Sequence, residues 1–144
     1  MYNKKLEYQW GDFAYDCVSF DLKSVVGIDA VLAITNGGFF LGALLAVKYK
    51  LPFFTIRAQS YKGKKQGNLV IDTVPSILKD KSVLLVDDIL DSGKTLRNVI
   101  KVLKKSKVKV KCKFVLFKRV GVSYKCRYMH KVKKGIWVVF PWER

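Results

Sequence analysis

The chain has 144 residues, half of them apolar, and carries 28 lysines and arginines against 11 aspartates and glutamates, a formal net charge of +17. That length and apolar content support one hydrophobic core and a single domain over residues 1–144, and they exclude a disordered or low-complexity chain. No run of 18 apolar residues exists and residues 1–5 lead into no signal-peptide core, so no membrane span and a cytosolic location are expected. Cys17, Cys112 and Cys126 are odd in number and lack metal-ligand spacing, which reads as free thiols in a reducing compartment.

Taken in chain order, Leu6 to Lys23 has mixed periodicity and predicts a short helix with Trp10 near its start. The apolar run Ile28–Ile34 predicts a strand that ends at Thr35-Asn36-Gly37-Gly38, where the small-residue helix Phe39–Lys48 begins. Paired glycines admit unusual backbone dihedrals and close contact with an anion. A strand over Pro52–Ala58 follows, and then the polar, glycine-bearing segment Lys62-Gly63-Lys64-Lys65-Gln66-Gly67-Asn68, which suits either a mobile lid or a solvated hairpin tip. Leu69–Asp72 and Ser82–Val86 predict strands and Lys94–Lys105 a helix. In the strand Val108–Phe117, Lys109, Lys111 and Lys113 alternate with Val108, Val110 and Cys112, as on a strand with one buried and one solvated face. After a loop region a last short strand lies near Trp137–Phe140. Strands alternating with helices imply an α/β fold built on a twisted, mostly parallel sheet flanked by helices.

The most informative stretch is Val83-Leu84-Leu85-Val86-Asp87-Asp88-Ile89-Leu90-Asp91-Ser92-Gly93-Lys94-Thr95, where three of the 11 acids fall within five positions. Ser82–Val86 has the valine- and leucine-rich pattern of a parallel strand covered on both faces. In open α/β sheets ligands bind beyond the carboxyl ends of such strands, which is where Asp87 and Asp88 fall. Vicinal carboxylates there can accept hydrogen bonds from vicinal sugar hydroxyls or hold a hydrated Mg²⁺. Asp91-Ser92-Gly93-Lys94-Thr95 then forms a turn at a helix start, whose amides and dipole suit a phosphate group, with Ser92 and Thr95 as hydroxyl donors. A Walker A loop is excluded, because the glycine it needs five residues before Gly93 is Asp88. Helix capping by Asp91 or Ser92 accounts for one acid and not for three together.

This acidic stretch resembles the phosphoribosyl-pyrophosphate (PRPP) loop of type I phosphoribosyltransferases, and the resemblance extends over nearly the whole chain to the bacterial xanthine-guanine branch. It implies a twisted parallel sheet with a small hood and a mobile lid, and a purine salvage enzyme. That enzyme would convert guanine, xanthine or hypoxanthine plus PRPP, with Mg²⁺, to the nucleoside 5′-monophosphate and pyrophosphate. By the same resemblance Asp87 and Asp88 hold the ribose hydroxyls and the metal, and residues Asp91, Ser92, Gly93, Lys94 and Thr95 hold the 5′-phosphate. Asp91 also takes the proton at N7 of the base. Thr35, Asn36, Gly37 and Gly38 form the pyrophosphate loop, with a cis peptide at Asn36; the family usually carries arginine or lysine where this chain has Asn36. Ser60 and Tyr61 match the root of the lid. Lys118, which with Arg119 ends an apolar strand, would donate to O6 of the purine; Trp137 would stack on the ring, and the Val138 backbone would read its 2-position edge. Val139 stands where the bacterial guanine enzymes often have glutamate. Trp142 reads as ordinary core packing. The family forms dimers and tetramers, so a homodimer or homotetramer is implied.

Two alternatives stay open. One is a regulator on the same fold that senses PRPP and binds nucleic acid, for which the charge speaks. The other is a phosphoribosyltransferase for another base, pyrimidine or adenine, although a lysine donor suits a 6-oxo group better than a 6-amino group. A solvated lysine face is the favoured reading of the charge, since 23 lysines against 5 arginines is a general bias of this sequence.

Overall fold

The computed structural model describes residues 2–23, 25–60 and 69–144. In chain order these form β1 (Lys4–Glu7), α1 (Trp10–Ser19), β2 (Ala30–Thr35), α2 (Phe39–Tyr49), β3 (Phe53–Ser60) and β4 (Leu69–Ile71). A 3₁₀ turn at Ser76–Leu78 leads to β5 (Ser82–Leu90), α3 (Lys94–Lys105), β6 (Lys109–Arg119), β7 (Arg127–Val132), β8 (Ile136–Val139) and a final 3₁₀ turn at Pro141–Glu143.

The main sheet has six strands in the order β4-β3-β2-β5-β6-β7, parallel throughout except for β4, which runs antiparallel to β3. Its centre is apolar on both faces because both are covered. From β2, Val31 and Ala33 pack with Phe13, Leu41 and Leu45 of α1 and α2. Leu32 and Ile34 point the other way and pack with Leu96, Val99 and Leu103 of α3. This alternation is the period-2 geometry of a strand. In β5, Val83 to Val86 are fully buried. A two-stranded parallel pair, β1 with β8, forms a separate small hood in which Lys5 lies opposite Trp137 and Leu6 opposite Val138.

The α/β architecture, the parallel sheet and the helices at residues 39 and 94 agree with the sequence reading. The main differences are two longer strands and two additional ones. β5 continues past Val86 to Leu90, because β6 runs alongside it in register, with Asp87 opposite Val115 and Ile89 opposite Phe117. β6 likewise reaches Arg119, and the expected loop after it contains β7, whose partner is β6. β1 is too short to show its own periodicity and is stabilised by pairing with β8, 129 or more residues away.

Candidate active site

The crossover from β2 to α2 and the one from β5 to α3 open on the same end of the sheet, where a cleft of about 290 Å³ lies between them. Its walls come from Thr35, Asn36 and Gly37 on one side and from Asp87, Asp88 and the loop Asp91–Thr95 on the other. Two loops singled out by sequence, some 50 positions apart, are thus joined in one site. The Thr35–Asn36 peptide is cis.

Gly37 sits directly against Asp88: a Cβ on Gly37 would meet its Oδ2 at 2.4 Å. The Asp88 amide donates to Asp87 Oδ1 at 2.9 Å, and the Ile89 amide donates to Asp88 Oδ1 at 2.7 Å. Both carboxyls face the cleft but are otherwise enclosed by protein. Burial pushes Asp87 well above the usual carboxylate range, and the Asp88 charge beside it pushes the same way. Burial likewise raises Asp88. Such a crowded, desolvated pair invites a cation or hydroxyl donors.

The loop after β5 turns at Gly93, whose φ of +86° is the left-handed conformation that glycine adopts without a Cβ penalty. It starts α3, with the Arg97 amide bonded to the Gly93 carbonyl at 3.0 Å. Ser92 Oγ accepts from the Lys94 amide at 3.3 Å, and Arg97 Nη1 donates to the Ser92 carbonyl at 3.4 Å. The loop is therefore held from within while the N-terminus of α3 opens onto the cleft.

Asp91 stands between this cleft and a second cavity of about 460 Å³, lined in part by Asp91, Ser92, Tyr2, Arg119, Gly121 and Gly135. Its Oδ1 accepts from Arg119 Nε at 2.8 Å. Arg119 Nη1 donates to the carbonyls of Lys133 and Ile136, both at 2.8 Å. Trp137 follows at once in β8, 42 % exposed, and the Tyr2 ring meets it edge-on at a centroid distance of 4.9 Å.

The structure brings Thr35, Asn36, Gly37, Asp87, Asp88, Asp91, Ser92, Gly93, Lys94 and Thr95 together around the first cleft, and Gly38 caps α2 beside it. It does not bring Lys118 to the second cavity. Neighbouring residues of a strand point to opposite faces, and Lys118 Nζ donates to the Tyr124 carbonyl at 2.9 Å and lies 5.6 Å from the Tyr128 ring. Arg119 takes the position beside Asp91 instead. Val138 is buried by its side chain in the core. Trp142 stacks on Phe140 at 5.0 Å and 11°, as core packing requires. Ser60 ends β3, whereas Tyr61 and the lid segment 62–68 lie outside the described residues.

Sequence reasoning missed two residues here. Arg119 was visible as one of two cations ending a strand, but only strand parity tells which of them faces Asp91. Tyr2 carried no signal at all, since its place depends on β1 pairing with β8. Among the described residues no group of three or more histidines, cysteines or carboxylates converges on one point. Two carboxylates are nevertheless a fitting donor set for Mg²⁺, which commonly takes one or two carboxylates and completes its shell with water and substrate phosphates.

Comparisons with known proteins bear on the family and the fold. The family profile described as "Phosphoribosyl transferase domain" matches residues 19–143. The chain is 31 % identical over 115 residues to a xanthine-guanine phosphoribosyltransferase of Chromohalobacter salexigens, covering 78 % of this chain and 67 % of that protein. It is 35 % identical over 92 residues to an adenine phosphoribosyltransferase of Mycoplasmopsis synoviae, covering 57 % of this chain and 54 % of that one. The matches thus span from about half to two thirds of these relatives' lengths. Among solved structures, the xanthine-guanine-hypoxanthine phosphoribosyltransferase of Helicobacter pylori superposes with a TM-score of 0.85 at 27 % identity, covering 96 % of this chain and 94 % of that one.

Proposed function

The chain belongs to the phosphoribosyltransferase family, and from that premise we propose that it is a purine salvage enzyme acting on a 6-oxopurine. The observation that carries this reading is the position of Asp91, shared between the acid-and-phosphate cleft and the cavity beneath the hood. A sugar phosphate in the first and a flat base in the second would meet at this carboxylate.

In this reading Asp87 and Asp88 orient the ribose hydroxyls, and the amides and hydroxyls of residues 91–95 hold the 5′-phosphate. The backbone of Thr35, Asn36, Gly37 and Gly38 holds the pyrophosphate. N9 of the base bonds to the anomeric carbon while the bond from that carbon to the pyrophosphate oxygen breaks, and its electron pair leaves with pyrophosphate. Asp91 accepts the N7 proton as N9 attacks. The oxocarbenium-like charge on the ribose develops beside the anionic Asp87–Asp88 pair, which favours it. The same two carboxylates would hold Mg²⁺, which supplies positive charge beside the departing pyrophosphate when bound. Trp137 offers its ring for stacking, worth about 1–3 kcal/mol by analogy with base–aromatic stacking.

The test is a coupled assay of nucleotide formation from PRPP and Mg²⁺ with guanine, xanthine, hypoxanthine, adenine, uracil and orotate. Nucleotide from one or more 6-oxopurines is expected. Turnover of adenine or a pyrimidine alone would replace the base assignment, and PRPP binding without any turnover would favour a PRPP-responsive regulator that binds nucleic acid. A cytosolic homodimer or homotetramer belongs to the same proposal; the exposed apolar side chains Trp10, Phe40, Leu44 and Val47 of α1 and α2 support it. Sedimentation analysis tests it.

A further inference from the structure

The charge of this chain is one-sided along the sequence. Residues 92–142 contain 16 lysines and arginines and no aspartate or glutamate. A general lysine bias raises the cation count everywhere, but it does not empty so long a stretch of acids, and a solvated helix face ordinarily mixes both signs. The effect is plainest in α3, whose 12 residues include Lys94, Arg97, Lys101, Lys104 and Lys105 and no acid. None of the ion pairs among the described residues involves Lys101, Lys104 or Lys105.

Part of this charge lines a concave surface. Lys94, Asn98, Lys101 and Lys105 of α3, with Val102 and with Leu69 and Ile71 of the edge strand β4, enclose a groove of about 490 Å³. Positions three, four and seven apart share one helix face, and Lys101 and Lys105 are about 6 Å apart along the axis. Both lysines are exposed, whereas the aliphatic Leu69, Ile71 and Val102 are half-buried. Among the described residues no acid lines the groove, although Asp72 follows Ile71 in the chain. Lys94 also borders the cleft that holds Asp87 and Asp88, so the groove starts at the loop Asp91–Thr95 and runs along α3 toward Lys105.

From this geometry we propose that the groove between α3 and β4 is a second binding site, which takes the phosphate backbone of a single-stranded nucleic acid. Ammonium groups repeated along one helix face are point charges for successive phosphates, and no neighbouring carboxylate of the groove competes for them. The aliphatic floor gives the sugars and base faces an apolar surface. No aromatic side chain lines the groove among the described residues, so binding comes from the backbone and is independent of base sequence. A cavity of this size admits one strand and not a duplex. The site does not rest on the purine reading, because Lys101 and Lys105 take no part in it.

The experiment measures, by fluorescence anisotropy over a salt series, binding of the protein to labelled oligo(U) and oligo(dT) of about 12 nucleotides and to a duplex of the same length. Both single strands should bind more tightly than the duplex, and the tighter of the two identifies RNA or DNA as the source. The log–log salt slope should be about −2, from three phosphate contacts of about 0.7 each. Lys101→Gln/Lys105→Gln should lower affinity by about 25-fold at about 0.1 M salt, roughly fivefold per contact, and should reduce the slope by about 1.4. Lys23→Gln/Lys50→Gln removes the same charge from exposed positions beside α1 and α2, on the other face of the sheet. It should change affinity by less than about threefold, since charges that distant are screened at this salt. Equal losses in the two variants would reveal diffuse attraction to a chain of net charge +17 and overturn the site. A duplex bound more tightly than either strand would also overturn it. So would lysine-dependent retention on phosphatidylserine vesicles without binding of any oligonucleotide.

Discussion

Gly37 and Asp88 are packed so closely that the glycine has no room for a side chain: a methyl group would stand 2.4 Å from Oδ2 and 2.5 Å from Cγ of the carboxylate. The pyrophosphate-side loop and the acidic strand are therefore built as one surface. Gly37→Ala should force the Asp88 carboxyl or the loop aside and weaken PRPP binding by at least about tenfold, or roughly 1.4 kcal/mol. Calorimetric titration of PRPP measures this, and an unchanged affinity would show that the contact is not needed.

Asp87 and Asp88 should cost stability at neutral pH. A carboxyl raised above its ordinary value by burial binds its proton more tightly when folded. The stability it contributes is present below the ordinary carboxylate range and is lost as pH rises through the raised native value. Asp87→Asn, which removes the charge, should melt roughly 2–4 °C higher than the unaltered protein at neutral pH without metal. The gap should close below about pH 3, where the carboxyls of both states are largely protonated. Added Mg²⁺ should stabilise the unaltered protein more than the variant. Differential scanning calorimetry with and without Mg²⁺ decides; a variant that melts lower at neutral pH refutes the idea.

Asp91→Asn should lower turnover by about 10²–10⁴-fold, the usual contribution of a positioned general base. PRPP affinity should change little, because the amides of the loop remain. Single-turnover kinetics separates the two. Loss of PRPP binding with unchanged chemistry in the bound complex would remove Asp91 from the proton-accepting role.

Tyr2 lies edge-on to Trp137 at 4.9 Å, beneath the Arg119 guanidinium at 5.7 Å, and its hydroxyl is 3.5 Å from Asp91 Oδ2. Its ring thus competes for the surface proposed to receive the base. Tyr2→Ala should lower KM for the base by about two- to fivefold, as expected when a competing conformation is removed, with kcat little changed. A raised KM would mean that Tyr2 contributes contacts to the bound base instead.

The fold class and the cleft half of the candidate site were legible in the sequence. Apolar runs such as Val83–Val86 can only be buried on both faces, and the acids and glycines after them sit at strand–helix crossovers wherever those runs become parallel strands. Local pattern was enough for Asp87, Asp88, the loop Asp91–Thr95 and the glycines at 37 and 38. In the hood half the sequence marked Trp137, but which residues surround it depends on the tertiary structure. Lys118 and Arg119 are adjacent cations of similar charge, and which of them meets Asp91 depends on strand parity and on the register of β6 against β5, where Leu90 lies opposite Lys118. Tyr2 reaches Trp137 because Lys4–Glu7 pairs with Ile136–Val139 across nearly the full length of the chain. Register and long-range strand pairing arise from contacts between distant segments, so no window of sequence contains them.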